Sequence, residues 1–206
     1  MVYVVIAGLS ILSPGPAVLL AISNSVRRGL RSVVYSSLGN IIGVMLVSTL
    51  AMLGLGVALK SSAFLFGMIK LVGAGYLIYL GIRQWTAKGS PFANPGDAPI
   101  DDRRSNWQLF RQGATLALTN PKAILFFTAL FPHFIDSGSA LLPQFLILTG
   151  TFMTLSFSTL MMYGLLARST RRWFAVRRHV QWFNRGSGSV FVLLGIGLLR
   201  LENPRG

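Results

Sequence analysis

The chain has 206 residues, of which 52% are hydrophobic and 12% charged, and its mean hydropathy is +0.61. Soluble domains carry about 25% charged residues, so this composition excludes an ordinary globular domain and points to a polytopic membrane protein. Cysteine is absent, which excludes disulfides, thiolate metal sites and cysteine nucleophiles. The net charge of +14 would suit nucleic-acid binding in a soluble protein, but here the basic residues fall between apolar runs, so no nucleic-acid partner is expected.

Six apolar runs, each near the roughly 20 residues a spanning helix needs, are predicted at 2–26, 33–59, 63–82, 113–135, 140–167 and 187–201. The first has no basic leader and continues past Pro14 and Pro16 to Ile22, which reads against a cleavable signal peptide. It is interrupted by Ser13-Pro14-Gly15-Pro16. Proline removes an N–H and clashes with the preceding turn, so the helix breaks or kinks here. In hydrocarbon such a break survives only when buried in protein or lining a wet cavity. The fourth run carries a second interruption, Thr119-Asn120-Pro121-Lys122. Proline breaks at corresponding positions of two halves are the sequence pointer to a transporter binding site; the plainer alternative is two kinks without a ligand.

The second run contains Gly39-Asn40-Ile41-Ile42-Gly43, and Ala63 to Gly67 opens the third as a second small-xxx-small pair. Both let helices approach closely, and internal packing is favoured over a dimer seam, with a homo-oligomer left open. Lys70 lies inside the third run and Lys122 at the second break. A lysine at membrane depth costs at least about 2.5 kcal/mol, so it faces a cavity or partner, or snorkels to an interface. Both readings stay open for Lys70; adjacency to the break favours function for Lys122.

The connections set the topology. Fourteen of the nineteen Lys and Arg residues fall in the links after runs 1, 3 and 5, while the opposite side has Lys60, Arg200 and Arg205. By the positive-inside rule both termini face outward and the three basic links face the cytoplasm. The longest link has a Pro-, Gly- and Asp-rich middle, Gly89 to Asp102, that reads as a joint between halves. The expected organisation is a first three-helix repeat (1–82), a cytoplasmic linker (83–112) and a second three-helix repeat (113–206), inserted in opposite directions as an inverted repeat. The link from Arg168 to Arg185 carries arginines beside Trp173, Phe174, Trp182 and Phe183, which suits either an interfacial helix on anionic lipid or an ordinary topology-setting loop.

Chemistry-bearing residues are few. No Walker A, H-E-x-x-H or G-x-S-x-G sequence is present, so neither ATP hydrolysis nor a zinc or serine hydrolase is indicated. The histidines are His133 and His179; of five acidic residues only Asp136, one turn after His133, lies near an apolar run. No catalytic residue, metal site or cofactor is expected. The breaks do explain how a zwitterion would be held: helix N-terminal N–H groups suit a carboxylate, exposed carbonyls suit an ammonium, and Ser13, Thr119 and Asn120 add hydroxyl and amide groups.

Ser13-Pro14-Gly15-Pro16, Gly39 and Gly43, the stretch Gly73-Ala74-Gly75-Tyr76-Leu77-Ile78-Tyr79-Leu80-Gly81, and Leu118-Thr119-Asn120-Pro121-Lys122 resemble, in this order and over nearly the whole chain, the LysE/RhtB family of amino-acid exporters. The resemblance implies an all-α, six-helix protein of the bacterial inner membrane, helices 1 and 4 broken at the proline motifs. It would export amino acids or close derivatives using the proton motive force, with amino acid, protons and membrane lipids as partners. The implied substrate-binding set is Ser13, Pro14, Gly15, Pro16, Asn40, Lys70, Tyr76, Thr119, Asn120, Pro121 and Lys122, with His133 and Asp136 as gating or proton candidates. Many members carry an Asp just after the second glycine of run 2, where this chain has Val44, and Gln where it has His133; the run before Ser13 is also shorter than usual. The competing classes are an integral-membrane enzyme acting on a lipid, for which acid and histidine are scarce, and a non-transport helical bundle, which needs no paired breaks. Export of neutral or basic amino acids remains the leading expectation.

Single cysteines introduced at Gly96 and Gly138 are expected to react from the cytoplasm and from outside respectively. Reaction of both from one side would exclude the six-span topology.

Overall fold

The computed structural model describes residues 2–12, 15–61, 63–86, 105–136, 138–167 and 176–200, and within them all regular structure is helical. The order is α1 (Val2–Leu12), α2 (Pro16–Arg28), α3 (Leu30–Ser61), α4 (Ala63–Thr86), α5 (Asn106–Leu118), α6 (Pro121–Leu125), a π-helical turn (Phe126–Leu130), a 3-10 turn (Phe131–Phe134), α7 (Leu141–Leu165) and α8 (Arg177–Arg200). Leu30–Gly54 of α3 and the whole of α7 are long and apolar enough to cross a membrane; α1 and α2 make a third such span, bent by 55°.

The first run is therefore two helices, and the fourth is a series of short ones, as proline at both places requires. Two boundaries differ from expectation. α5 starts seven residues before the apolar run, because Ser105 forms a capping box: its Oγ accepts from the Gln108 N–H (3.3 Å) and Gln108 Oε1 accepts from the Ser105 N–H (2.8 Å). α8 starts ten residues early, its polar first turns held by α4. Gln84 Nε2 donates to Asn184 Oδ1 (3.2 Å) and Trp85 Nε1 to the Arg185 carbonyl (2.6 Å). Arg177, Arg178, Trp182, Phe183 and Arg185 thus belong to the last helix; residues 168–175 of the basic link and the Gly89 to Asp102 joint lie outside the described residues.

Gly29 makes the reversal between α2 and α3. Its φ of +79° is a conformation L side chains rarely adopt, and its N–H caps the Ser25 carbonyl at 2.9 Å. α3 then packs along α5, α4 along α8, and α7 crosses α1, α2 and α3.

The first two pairs meet backbone to backbone. A Cβ on Gly39 would overlap the Phe110 carbonyl and one on Gly113 the Ser36 carbonyl; on Gly43 it would stand 2.7 Å from Ala114 O and Ala117 Cβ. The GxxxG pair of α3 is therefore an internal seam with α5. Gly81, Gly188 and Gly195 do the same between α4 and α8: a Cβ on Gly188 would meet the Gly81 carbonyl at 2.6 Å and one on Gly195 the Ala74 carbonyl at 2.9 Å.

Among the described residues two buried clusters lie along the bundle. The larger is aromatic, built on Tyr3, Phe126, Phe127, Phe131, Phe145, Phe152 and Phe191; the smaller is aliphatic, with Val18, Ala21, Ile22, Val33 and Leu160. The outward faces carry large apolar side chains such as Leu50, Leu53, Leu142, Ile147 and Leu165, as lipid contact requires.

Gly113→Val is expected to lose about 1–3 kcal/mol or more by overpacking the α3–α5 seam. Gly150→Ala, where nothing lies within 4 Å of the added Cβ, is expected to stay within about 0.5 kcal/mol of the parent. Thermal midpoints in detergent, read by size-exclusion of the surviving fraction, check both.

Candidate functional site between the two helix breaks

In an unbroken helix the Leu12 carbonyl would accept from the backbone nitrogen of residue 16, but Pro16 has no N–H. Tyr163 of α7 supplies the donor: its Oη lies 3.0 Å from the Leu12 oxygen. Beyond the break Gly15 is extended and serves as the N-cap of α2, its carbonyl accepting from the Leu19 N–H at 3.1 Å. At the second break Pro121 likewise cannot serve the Ala117 carbonyl, which accepts instead from the Asn120 N–H at 3.2 Å. Asn120 then restarts the helix: its Oδ1 accepts from the Lys122 N–H (3.1 Å) and its carbonyl from the Ile124 N–H (3.1 Å). A π-helical turn follows at once, a widened geometry frequent at functional sites.

The breaks converge. A Cβ placed on Gly15 would stand 3.8 Å from both Cδ and Nζ of Lys122, so the lysine stem passes across the first break. Its ammonium lies 5.6 Å from the centroid of the Phe191 ring on α8, in cation–π range.

Around this crossing is a cavity of about 50 Å³, room for a few water molecules or a small polar solute. The first break supplies Ser10, Ile11, Gly15, Ala17 and Val18; the second supplies Asn120, Lys122 and Ala123. α3 adds Asn40 and Val44, and α7 adds Phe152, Ser156 and Leu160. Ile11, Val44 and Phe152 belong to the aromatic cluster, Val18 and Leu160 to the aliphatic one, so the cavity sits where the two cores meet. Asn40 Nδ2 donates to Ser156 Oγ at 3.3 Å, joining α3 to α7. Lys122 is the charged residue of the described lining, which has no carboxylate. The arrangement suits a solute with an anionic or carbonyl oxygen facing the ammonium and the α2 N-terminus, and its hydrogen-bonding groups on Asn40, Ser10 and Ser156.

Of the residues named from sequence, Gly15, Asn40, Asn120 and Lys122 come together in this lining. Pro16 and Pro121 open α2 and α6 and are exposed, and Thr119 bonds back to the Thr115 carbonyl at 2.8 Å. Tyr76 does not line the cavity; its ring packs against Tyr79 of the same helix. Lys70 is a residue of α4 whose side chain lies outside the described set, as do Ser13 and Pro14 altogether.

His133 lies within the 3-10 turn, which ends at Phe134, so Asp136 is not on its helix. The Asp136 carboxylate organises the turn before α7, accepting from the Ser139 hydroxyl (2.7 Å) and the Gly138 N–H (2.9 Å). These bonds hold its carboxyl below the usual carboxylate range, the Ser139 hydroxyl contributing most.

Sequence reading missed Ser10, Ser156, Phe152 and Tyr163. A lone hydroxyl in an apolar helix carries no mark of which neighbour it meets. The one available signal was polarity: α7 carries Thr149, Thr151, Thr154, Ser156, Ser158 and Thr159 in an apolar run, and of these Thr149, Ser156 and Thr159 are buried.

The sequence profile of LysE type translocators matches residues 9–202. The chain belongs to this family. It is similar to a homoserine/homoserine lactone efflux protein of Salmonella typhimurium, 33% identical over 94% of this chain and 92% of the relative. It is equally similar to an uncharacterised membrane protein of Vibrio cholerae (33%, over 96% of this chain and 93% of the relative), and less so to one of Bacillus subtilis (28%, over 94% and 95%). No solved structure matches the chain. The LysE-type chain is a membrane translocator, not an enzyme, which removes the lipid-modifying alternative.

Tyr163→Phe leaves the Leu12 carbonyl without its donor and is expected to destabilise the translocator by about 1–3 kcal/mol. An unchanged thermal midpoint would show that the break is satisfied by other means.

Proposed function

We propose that this LysE-type chain is a secondary exporter of small neutral amino-acid derivatives, homoserine and its lactone among them, across the bacterial inner membrane. The observation that carries the reading is the convergence of both proline breaks on one cavity crossed by the Lys122 side chain. Related efflux proteins named for homoserine and homoserine lactone point to the same substrate class.

The charge pattern narrows the class. The described lining offers a cation and no carboxylate, so a substrate carboxylate or lactone carbonyl is welcomed while a cationic side chain is repelled. Neutral derivatives are therefore preferred over the basic amino acids that composition alone left open. The short hydroxyl- and amide-bearing walls suit a small polar side chain.

With no ATP site, export draws on the membrane potential or a proton gradient. Moving one charge through 100 mV is worth about 2.3 kcal/mol, and about 1.4 kcal/mol corresponds to tenfold in concentration. One proton per substrate thus supports strong efflux. Val44 stands in the cavity wall where the family resemblance leads one to look for a carboxylate, leaving Lys122 as the titratable group of the described lining. Asp136, already stabilised as a carboxylate by its turn, fits a structural staple better than a proton carrier. His133, beside the aromatic cluster, is assigned to the outer mouth rather than to coupling.

The reading includes six spans in two inverted three-helix repeats, with both termini outside. The fourteen basic residues in links 1, 3 and 5 and the matching breaks in the first and fourth spans support it.

In liposomes with purified protein, counterflow of labelled homoserine is expected for the parent chain. Lys122→Met is expected to abolish proton-driven efflux, and His133→Gln to retain it. Full proton-driven transport by a correctly folded Lys122→Met protein would remove the lysine from the mechanism, and absence of counterflow by the parent would remove the substrate class.

A further inference from the structure

The central cavity continues beyond Asn40. A second, narrower crevice shares Ala17, Asn40 and Leu160 with it and runs between α2 and α3 along Ala21, Ser36 and Ser37. The helix registers explain the continuity. Ser37, Asn40 and Val44 recur at spacings of three and four on α3, as do Ala17, Ala21 and Asn24 on α2, so each set shares one face. The crevice itself ends at Ala21 and Ser36; the same face of α2 continues past it to Asn24 and the turn at Arg27, Arg28 and Gly29.

Two buried polar groups stand out, Ser37 in the crevice lining and Asn24 one turn beyond Ala21 on the same face of α2. Ser37 is 1% exposed and Asn24 4%, and neither Ser37 Oγ nor Asn24 Nδ2 has a hydrogen-bond partner among the described residues. Their neighbours do: Ser36 Oγ donates to the Val33 carbonyl at 3.2 Å, and Ser32 Oγ to the Asn24 carbonyl at 2.9 Å. The crevice is too tight to hold a water molecule at Ser37. An unsatisfied buried group costs about 1–3 kcal/mol, and a native protein that tolerates one calls for an explanation in function.

We propose that the α2–α3 seam is the access route from the arginine-bearing side, and that Ser37 and Asn24 form a second binding stage along it. Both groups can donate, so the stage takes the carboxylate or carbonyl oxygen of the small neutral solute before that oxygen reaches Lys122. The walls combine small residues at Ala17, Ala21 and Ser36 with the side chains of Leu20 and Leu160, so a separation of α2 from α3 that moves the two leucines aside opens the path. Opening satisfies the two orphaned groups, which offsets part of the packing that the two helices give up as they part. The identity of the solute rests on the proposed function; the seam itself does not.

The test uses the full chain, which has no native cysteine. Ser37→Cys is expected to react with a membrane-impermeant thiosulfonate reagent in inside-out vesicles, and to be protected by homoserine. Ser48→Cys is the control, since Ser48 is fully buried on the same helix, bonded to the Met45 carbonyl at 2.9 Å and outside both cavities. Ser37→Cys reacting no faster than Ser48→Cys would overturn the route. Removing the orphaned groups with Ser37→Ala and Asn24→Leu is expected to raise the thermal midpoint, because an unsatisfied group is lost. The same pair should slow homoserine efflux by tenfold or more, about tenfold being the worth of one hydrogen bond to a charged oxygen. A folded double variant exporting at the parent rate would overturn the second stage. If the parent neither exports homoserine nor protects Ser37→Cys, yet Ser37→Cys reacts, the substrate class falls and the route stands.

Discussion

A proline in hydrocarbon leaves one carbonyl without the donor that a helix would have given it, and in this chain that deficit recurs at Leu12 and at Ala117. No water is at hand deep in a bilayer, so protein must answer. Tyr163 reaches across from α7 to Leu12, and Asn120 folds its own backbone and amide around the second break. Each answer fixes something else. The tyrosine ties α7 to the first break, which places Phe152, Ser156 and Leu160 of the same helix against the cavity. The asparagine restarts α6 so that Lys122 follows one residue after the proline and points across Gly15. The site is thus a by-product of how two interrupted helices are made whole.

Burial on either side gives the site its walls. The aromatic cluster fills one end of the bundle with rings in edge and tilted contact, such as Phe127 with Phe152 at 4.9 Å and Phe131 with Phe145 at 6.3 Å. The aliphatic cluster around Ile22, Val33 and Leu160 fills the other with smaller side chains. Interlocking rings resist being parted more than the smaller alanine, serine and leucine side chains of the α2–α3 seam do. The asymmetry leaves the aliphatic end as the softer one.

Much of this was legible in the sequence, and the reasons differ by element. The breaks were, because proline acts locally and its effect in an apolar run needs no tertiary context. The close approach of α3 was, since Gly39 and Gly43 advertise it at i, i+4, although the partner helix was not. Lys122 was, because a charge beside a break in hydrocarbon is conspicuous. The start of α5 was present in Ser105 and Gln108 but hidden from hydropathy, the capping box lying in a polar stretch. Ser10, Ser156 and Tyr163 could not be read: each matters through a partner over a hundred residues away in sequence, as in the Asn40–Ser156 and Tyr163–Leu12 bonds, or through a cavity that only packing creates. Tyr76, singled out within a glycine-rich stretch, packs on its own helix.

The glycine seams bear on how such a bundle changes shape. Helices whose backbones touch cannot turn about their own axes without driving a Cα into a carbonyl, as at Gly113 against Ser36 or Gly188 against Gly81. α3 with α5, and α4 with α8, therefore travel as two stiff blades. Torque has to be taken up where side chains stand between helices, and there α2, α7 and the short α6 are the members free to pivot. A broken helix is well suited to that duty, because its two halves can reorient about a joint that has already given up its continuous ladder of hydrogen bonds.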